Sequence, residues 1–221
     1  MHRSYTAGLL LLTASTGAID AVSYLSLDRV FTGNMTGNVL FIGFALVGVA
    51  DIPLLNNIIA LLGFVAGSIL GGRLVGRGHK IKLPISSAWV LTVGGVIAIA
   101  LGVFWVIVGE LPHTTILVTT FLLAAVMGAQ VSAVKPVGNS DITTIVVTNT
   151  LANLARDSRL GGGKGQAWVH RLLAVVCMGL GAAVGAWIIT MWGGPWALLA
   201  SALIYIAGAA TLIIAGRRRL A

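Results

Sequence analysis

The stretch FTGNMTGNV, Phe31 to Val39, puts two Gly-Asn pairs and two threonines into a chain that is 57% hydrophobic and only 9% charged. Soluble domains carry roughly 25% charged residues, and mean hydropathy here is +1.00, so the composition is that of an integral membrane protein. Hydrocarbon offers amides and hydroxyls no partner. Polar, glycine-rich backbone at membrane depth is tolerated only where protein buries it or it lines a cavity. The stretch therefore predicts a break between helices that faces an interior and not lipid.

Working outward from it, eight apolar segments cover about 5 to 27, 30 to 50, 54 to 76, 85 to 109, 114 to 134, 141 to 155, 166 to 191 and 195 to 216. Helices are expected, because the alternating pattern of a barrel is absent and helices satisfy their own backbone in lipid. Lys and Arg collect on the cytoplasmic side of membrane proteins. That rule puts inside Arg3, the group Arg73, Arg77, Lys80 and Lys82, the group Arg156, Arg159, Lys164 and Arg171, and the tail Arg217 to Arg219. These are 12 of the 14 basic residues. The loops at Asp51, Glu110 and Gly193 to Pro195 then lie outside.

Eight full crossings would break this assignment, since the Arg73 to Lys82 cluster would fall outside. Residues 5 to 50 are too long for one helix across a core of about 30 Å at 1.5 Å per residue. They are expected to make one crossing plus a broken or re-entrant piece, and parity demands the same of residues 114 to 155. The predicted fold is an all-α polytopic membrane protein with about six full transmembrane helices and two broken or re-entrant elements, forming one membrane domain over 1–221.

Sliding the sequence on itself by 111 residues supports two repeats, about 5–109 and 114–216. Thr16-Gly17-Ala18 falls on Met127-Gly128-Ala129, Thr32 on Thr143, and Asn38 on Asn149. With three extra residues in the following loop, Gly67 and Gly71 meet Gly181 and Gly185. One repeat starts inside and ends outside and the other does the reverse, so the expectation is an inverted-topology pair. Such folds place substrate sites at the midplane, where discontinuous helices of the two copies meet.

Candidate residues follow from that centre. Gly33 and Gly37 are the expected backbone break, since glycine permits positive φ and close approach. Asn34, Thr36 and Asn38 from the first repeat, with Asp141, Thr148 and Asn149 from the second, are candidate solute ligands through amide, carboxylate and hydroxyl groups. Helix packing through Gly33-xxx-Gly37 and an N-cap role for Asp141 are the structural alternatives. Asp20 is a carboxylate deep in an apolar segment, which marks proton or ion coupling; the alternatives are a salt bridge to Arg29 or Lys135, or a segment end that lies nearer the membrane surface. Those two bases remain outside the cytoplasmic clusters and could attract an anion, or pair with Asp28 and Asp141. The spaced glycines Gly63, Gly67, Gly71, Gly181 and Gly185 read as helix-packing faces.

Other classes are disfavoured. The +8 charge sits in short clusters between apolar runs, as in membrane-protein loops, so nucleic acid is not an expected partner. Cys177 is the only cysteine, which excludes an internal disulfide. His2, His79, His113 and His170 lack ligand spacing, so no metal site is expected, and no cofactor is. Ser132-Ala-Val-Lys135 matches S-x-x-K without its companion motifs, and no enzyme is expected. The apolar N-terminus is longer than a usual signal sequence and contains Asp20, so it is read as retained.

The run GAIDAVSYLSLDRVFTGNMTGNVLFIG, Gly17 to Gly43, resembles the YoaK-like family of bacterial inner-membrane proteins of unknown function. The resemblance rests on the acidic residue at Asp20 after Gly17 and on the Phe31 to Asn38 pattern. It implies a multi-pass inner-membrane protein and no particular substrate. The residues themselves point to a membrane transporter of a small polar, possibly anionic solute, with Asp20 as the coupling group. A passive channel and a non-transporting structural or sensory protein are the alternatives. Lipid and a small solute are the expected partners, self-association stays open, and both termini are expected in the cytoplasm.

Overall fold

The computed structural model describes residues 3–76, 82–137, 147–163 and 168–217. Its regular elements among these residues are all helices: α1 (Arg3–Ser26), α2 (Met35–Leu46), α3 (Leu54–Val75), α4 (Ile85–Val108), α5 (His113–Val134), α6 (Val147–Arg156), α7 (Trp168–Trp192) and α8 (Gly194–Arg217). Six of the eight are long and apolar enough to cross a membrane; α2 and α6 are not, at 12 and 10 residues. This is the all-α polytopic fold that the hydropathy and charge pattern predict.

The helix limits follow local chemistry. Pro53, Pro84 and Pro112 stand immediately before α3, α4 and α5, where a missing N–H costs nothing and a fixed φ starts the helix. At the other ends, Gly76 follows α3 and Gly109 follows α4, both at positive φ. The Gly109 N–H returns to the Trp105 carbonyl at 2.9 Å, which closes the last turn, and glycine tolerates the positive φ that ends the helix there.

Contacts between helices fix their directions. Asp28, just past the end of α1, accepts from Asn56 Nδ2 at 3.1 Å and lies 4.0 Å from His113 Nε2. The end of α1 therefore meets the starts of α3 and α5. The Tyr5 hydroxyl accepts from the Leu83 N–H at 3.2 Å, which sets the start of α1 beside the start of α4. Gly181 faces Ala14 and Gly185 faces Ala18, so α7 runs parallel to α1, whereas Gly194 beside Ser26 makes α8 antiparallel to it. Helices α1, α4 and α7 thus run one way, and α3, α5 and α8 the other.

Helix α1 is the most enclosed, with Leu9, Leu12, Ile19 and Val22 fully buried. It packs on α7 and α8, while α5 packs on α3 and α4; α4 lies against α8, α2 rests on α3 and α6 on α7. The outer faces expose Leu70, Val96, Ile107, Leu180 and Leu203. An apolar exterior of this extent suits lipid contact. Buried Thr13 and Thr16 return their hydroxyls to the Leu9 and Leu12 carbonyls, which keeps a polar stripe inside α1 without loose donors.

Two seams are made of backbone against backbone. A Cβ on Gly17 would strike the Met178 carbonyl oxygen, and one on Gly181 the Ala14 oxygen. In the other seam a Cβ on Gly128 would strike the Phe64 oxygen, and one on Gly67 the Ala125 oxygen. Gly17 and Gly128, like Ala14 and Ala125, are 111 positions apart; Gly67 and Gly181 are 114 apart. These are the same offsets that align the sequence with itself. The seams are the membrane form of small-residue packing, in which dispersion and Cα–H···O contacts replace a hydrophobic drive.

On the basic side, Asp157 accepts from Arg156 Nε at 2.9 Å and from Arg171 Nη1 at 2.8 Å. Those guanidiniums, Arg156 first, hold its carboxyl below the ordinary range. Arg171 also donates to the Asn153 carbonyl at 2.7 Å, tying α6 to α7.

Leucine at Gly67 or at Gly181 is expected to lower the melting temperature in detergent, as overpacking costs about 1–3 kcal/mol or more. Leucine at Gly72, whose Cβ would meet nothing within 4 Å, is expected to leave it unchanged. Seam variants that melt like the parent would contradict the packing described.

Candidate functional site

The site grows from the way the chain leaves α1. The Leu27 N–H still donates to the Ser23 carbonyl at 3.1 Å, and then Asp28 and Arg29 both take left-handed φ, 60° and 55°. Consecutive non-glycine residues there are uncommon. The bond from Asn56 to Asp28 helps hold this reversal, which turns the chain back along α1 and buries Val30 and Thr32 completely.

Residues 30–34 form no helix, and their polar groups are met by side chains. The N–H groups of Thr32 and Gly33 donate to Asp20 Oδ1 at 3.0 and 2.7 Å, and the Thr32 hydroxyl lies 3.4 Å from the same oxygen. Asn38 closes the other side: its Oδ1 accepts from the Phe31 N–H at 3.0 Å and its Nδ2 donates to the Phe31 carbonyl at 2.6 Å. Donors directed at one carboxylate oxygen make strong charge-assisted bonds. A Cβ on Gly33 would sit 2.9 Å from the Thr16 methyl and 3.2 Å from Asp20 Oδ2, so glycine permits this approach by lack of bulk.

Several sequence expectations change here. The break covers 27–34, and helix α2 has begun by Met35, so Thr36, Gly37 and Asn38 are helical. Neither Gly33 nor Gly37 takes positive φ; Asp28 and Arg29 do. Gly37 makes room for the Phe31 ring, whose Cδ2 would lie 2.9 Å from an added Cβ. Asn38 is fully buried and spent on Phe31, which makes it a brace for the break and leaves it no solute to hold.

A cavity of about 570 Å³ opens beside this segment. Asp20, Gly33, Asn34 and Thr36 line it from the first half of the chain and Thr148 from the second. Asn149 is exposed and outside the lining. Asp141 lies outside the described residues. Arg29 lines a separate hollow at the end of α1, and Lys135 is exposed just past the end of α5, at the opposite end of the bundle. The structure therefore brings neither base to the cavity nor pairs them with each other. Ser132 gives its hydroxyl to the Ser68 carbonyl at 3.0 Å, which occupies it in the α3–α5 seam.

Sequence reading missed the aromatic wall. Tyr24 and Phe31 stack with centroids 4.9 Å apart and planes 16° apart, and Phe41 continues the stack at 6.1 Å from Phe31. Tyr24 and Leu25 line the 570 Å³ cavity and also the second hollow, of about 820 Å³, which contains Asp28, Arg29 and Asp51. Tyr24 follows Asp20 by four residues, the spacing that puts two helical side chains on one face. That spacing was the available signal.

A family model described as "Protein of unknown function (DUF1275)" matches residues 8–211. The chain belongs to the DUF1275 family. Within the curated proteins, the UPF0700 transmembrane protein YoaK of Bacillus subtilis (strain 168) is 33% identical to this DUF1275 chain over 156 residues, 71% of the chain and 67% of the relative. The YoaK-like resemblance carried by Asp20 and the Phe31 to Asn38 pattern is thereby established. No solved structure matches.

Proposed function

We propose that this membrane protein is a transporter of a small polar solute, built from two inverted halves that enclose the solute between them. The observation that carries the proposal is the cavity itself: Asp20, Asn34 and Thr36 of one half and Thr148 of the other face one space. A protein that served only as a scaffold would have satisfied Asn34, Thr36 and Thr148 against one another, whereas all three are exposed. A volume near 570 Å³ lies within the range of about 300–1,000 Å³ common for small-molecule sites.

Inversion is supported by direction. Helices at equal places in the halves, α1 and α5, α3 and α7, α4 and α8, run oppositely, and the glycine seams recur at the repeat offsets. Around the α1–α5 crossing, Gln130 Nε2 donates to Thr16 Oγ1 at 3.2 Å. An axis relating the halves would pass near Gly17 and Gly128, which puts Asp20 three residues, about 5 Å along the helix, from the midplane. Midplane sites between inverted copies are the usual geometry of secondary transporters.

In this reading Asp20 couples solute movement to a proton or another ion. The Tyr24–Phe31–Phe41 stack beside the shared wall of the two hollows favours a gated path over a permanently open channel. The anionic solute expected from Arg29 and Lys135 loses its basis, because neither lines the cavity. The basic clusters support a cytoplasmic side for the starts of α1, α4 and α7 and for both termini, in what this reading takes to be a bacterial inner membrane. Translocation, and no catalytic step, is the activity proposed.

Topology can be read with an impermeant maleimide in a Cys177→Ser background. Glu110→Cys is expected to label from the periplasmic side and Leu160→Cys only after the membrane is opened; labelling of both from one side would end the inverted reading. For transport, a thermal-shift screen of small polar solutes names a ligand, and proton-gradient-driven uptake of that ligand by proteoliposomes is expected to fall to background in Asp20→Asn. Uptake unchanged by the substitution removes Asp20 from coupling, and a ligand that binds but never crosses overturns transport.

A further inference from the structure

The charge inventory of the central cavity is one-sided. Among the described residues its lining contains one carboxylate, Asp20, and no Lys, Arg or His. Asp20 is buried, and among those residues it bonds only N–H and O–H donors of the 32–34 segment. A carboxylate enclosed without a cation is costly, and here the open side of the group faces the cavity. The remaining walls are aromatic and thioether surfaces, from Tyr24, Phe31, Phe64, Met35 and Met178, with the amide of Asn34 and the hydroxyls of Thr36 and Thr148.

From these observations we infer that the cavity takes an organic cation, a protonated or quaternary amine with an apolar body, and discriminates against anions. The inference rests on reading the cavity as a solute site. Asp20 supplies the counter-charge. Tyr24 and Phe31 supply aromatic surface, which attracts ammonium groups within about 6 Å of a ring centroid. Met35 and Met178 supply adaptable sulfur-containing walls for the apolar body. Among the described residues of the lining, an anion would meet a like charge and no cationic side chain.

A bare metal ion fits poorly. Calcium takes about 6–8 oxygen ligands and zinc about four donors, whereas among the described residues the lining offers one carboxylate, already bonded through Oδ1 to two backbone N–H groups. The volume is also that of a small organic molecule. The approach has the same sign: the second hollow, which shares Tyr24 and Leu25 with the cavity, carries the two carboxylates Asp28 and Asp51 against the single base Arg29. A net negative charge on the approach raises the local concentration of cations.

The test is equilibrium dialysis of the purified full chain at neutral pH with three probes of one body: benzyltrimethylammonium, phenylacetamide and phenylacetate. The cation is expected to bind at least about tenfold more tightly than the amide, and the anion more weakly than both. Asp20→Asn keeps an oxygen acceptor for the Thr32 and Gly33 N–H groups and is expected to abolish the preference for the cation over the amide. Tyr24→Leu, which leaves every bond to Asp20 in place, is expected to weaken the cation about tenfold and the amide less. Absence of cation binding, equal or tighter binding of phenylacetate, or a preference that survives Asp20→Asn overturns the inference. A cation that binds but is not carried into proteoliposomes defeats the transport reading alone; solutes carried with no preference for positive charge defeat the cation assignment alone.

Discussion

One oxygen of a carboxylate inside α1, Asp20 Oδ1, receives the N–H groups of Thr32 and Gly33 from a chain that has already left the helix and turned back. In hydrocarbon each unsatisfied backbone group costs several kcal/mol, so an irregular segment can lie beside a spanning helix only if its donors are met. Hydrogen bonds to a charged acceptor are worth about 1.5–3 kcal/mol each. With Asn38 bonding both backbone groups of Phe31, the segment is held from two sides, and α2 starts where those bonds leave it. The cavity wall formed by Gly33, Asn34 and Thr36 is a consequence of that anchoring.

The second constraint is close approach. The seams of α1 with α7 and of α3 with α5 put carbonyl oxygens where a Cβ would stand, which leaves no room for side chains at those glycines. Apolar side chains are turned outward to lipid, and the hydroxyls and amides of α1 and α5 are turned inward, where Thr16 and Gln130 meet. A packed shell with a polar centre follows from those two choices. The one carboxylate among the described lining residues reflects a difference between the halves: the position 111 residues beyond Asp20 is Val131.

Much of the fold was legible because charge and hydropathy act over whole segments. The cluster at Arg73, the acid at Asp51 and the length of residues 5 to 50 together demanded a short element, and α2 is that element. Gly67 and Gly181 were legible as packing residues because spaced glycines have few other uses in a spanning helix. What a side chain faces was harder to read. Asn34 and Asn38 look alike in sequence, yet one is exposed in the cavity wall and the other is buried as a brace, a difference set by where the helix starts. Lys135 and Arg29 looked equivalent because both sit at breaks, but they lie at opposite ends of the bundle. The four-residue spacing places Tyr24 on the face of Asp20, but nothing local brings Phe31 onto its ring, and aromatics near segment ends usually anchor at the interface.

Hydrogen–deuterium exchange of the 30–36 segment, compared between the parent chain and Asp20→Ala, tests the central claim most directly. The account predicts slow exchange at Thr32 and Gly33 in the parent and rapid exchange in the variant, with the α3–α5 seam equally protected in both. Rapid exchange at these amides in the parent, or protection indifferent to the loss of the carboxylate, would contradict it.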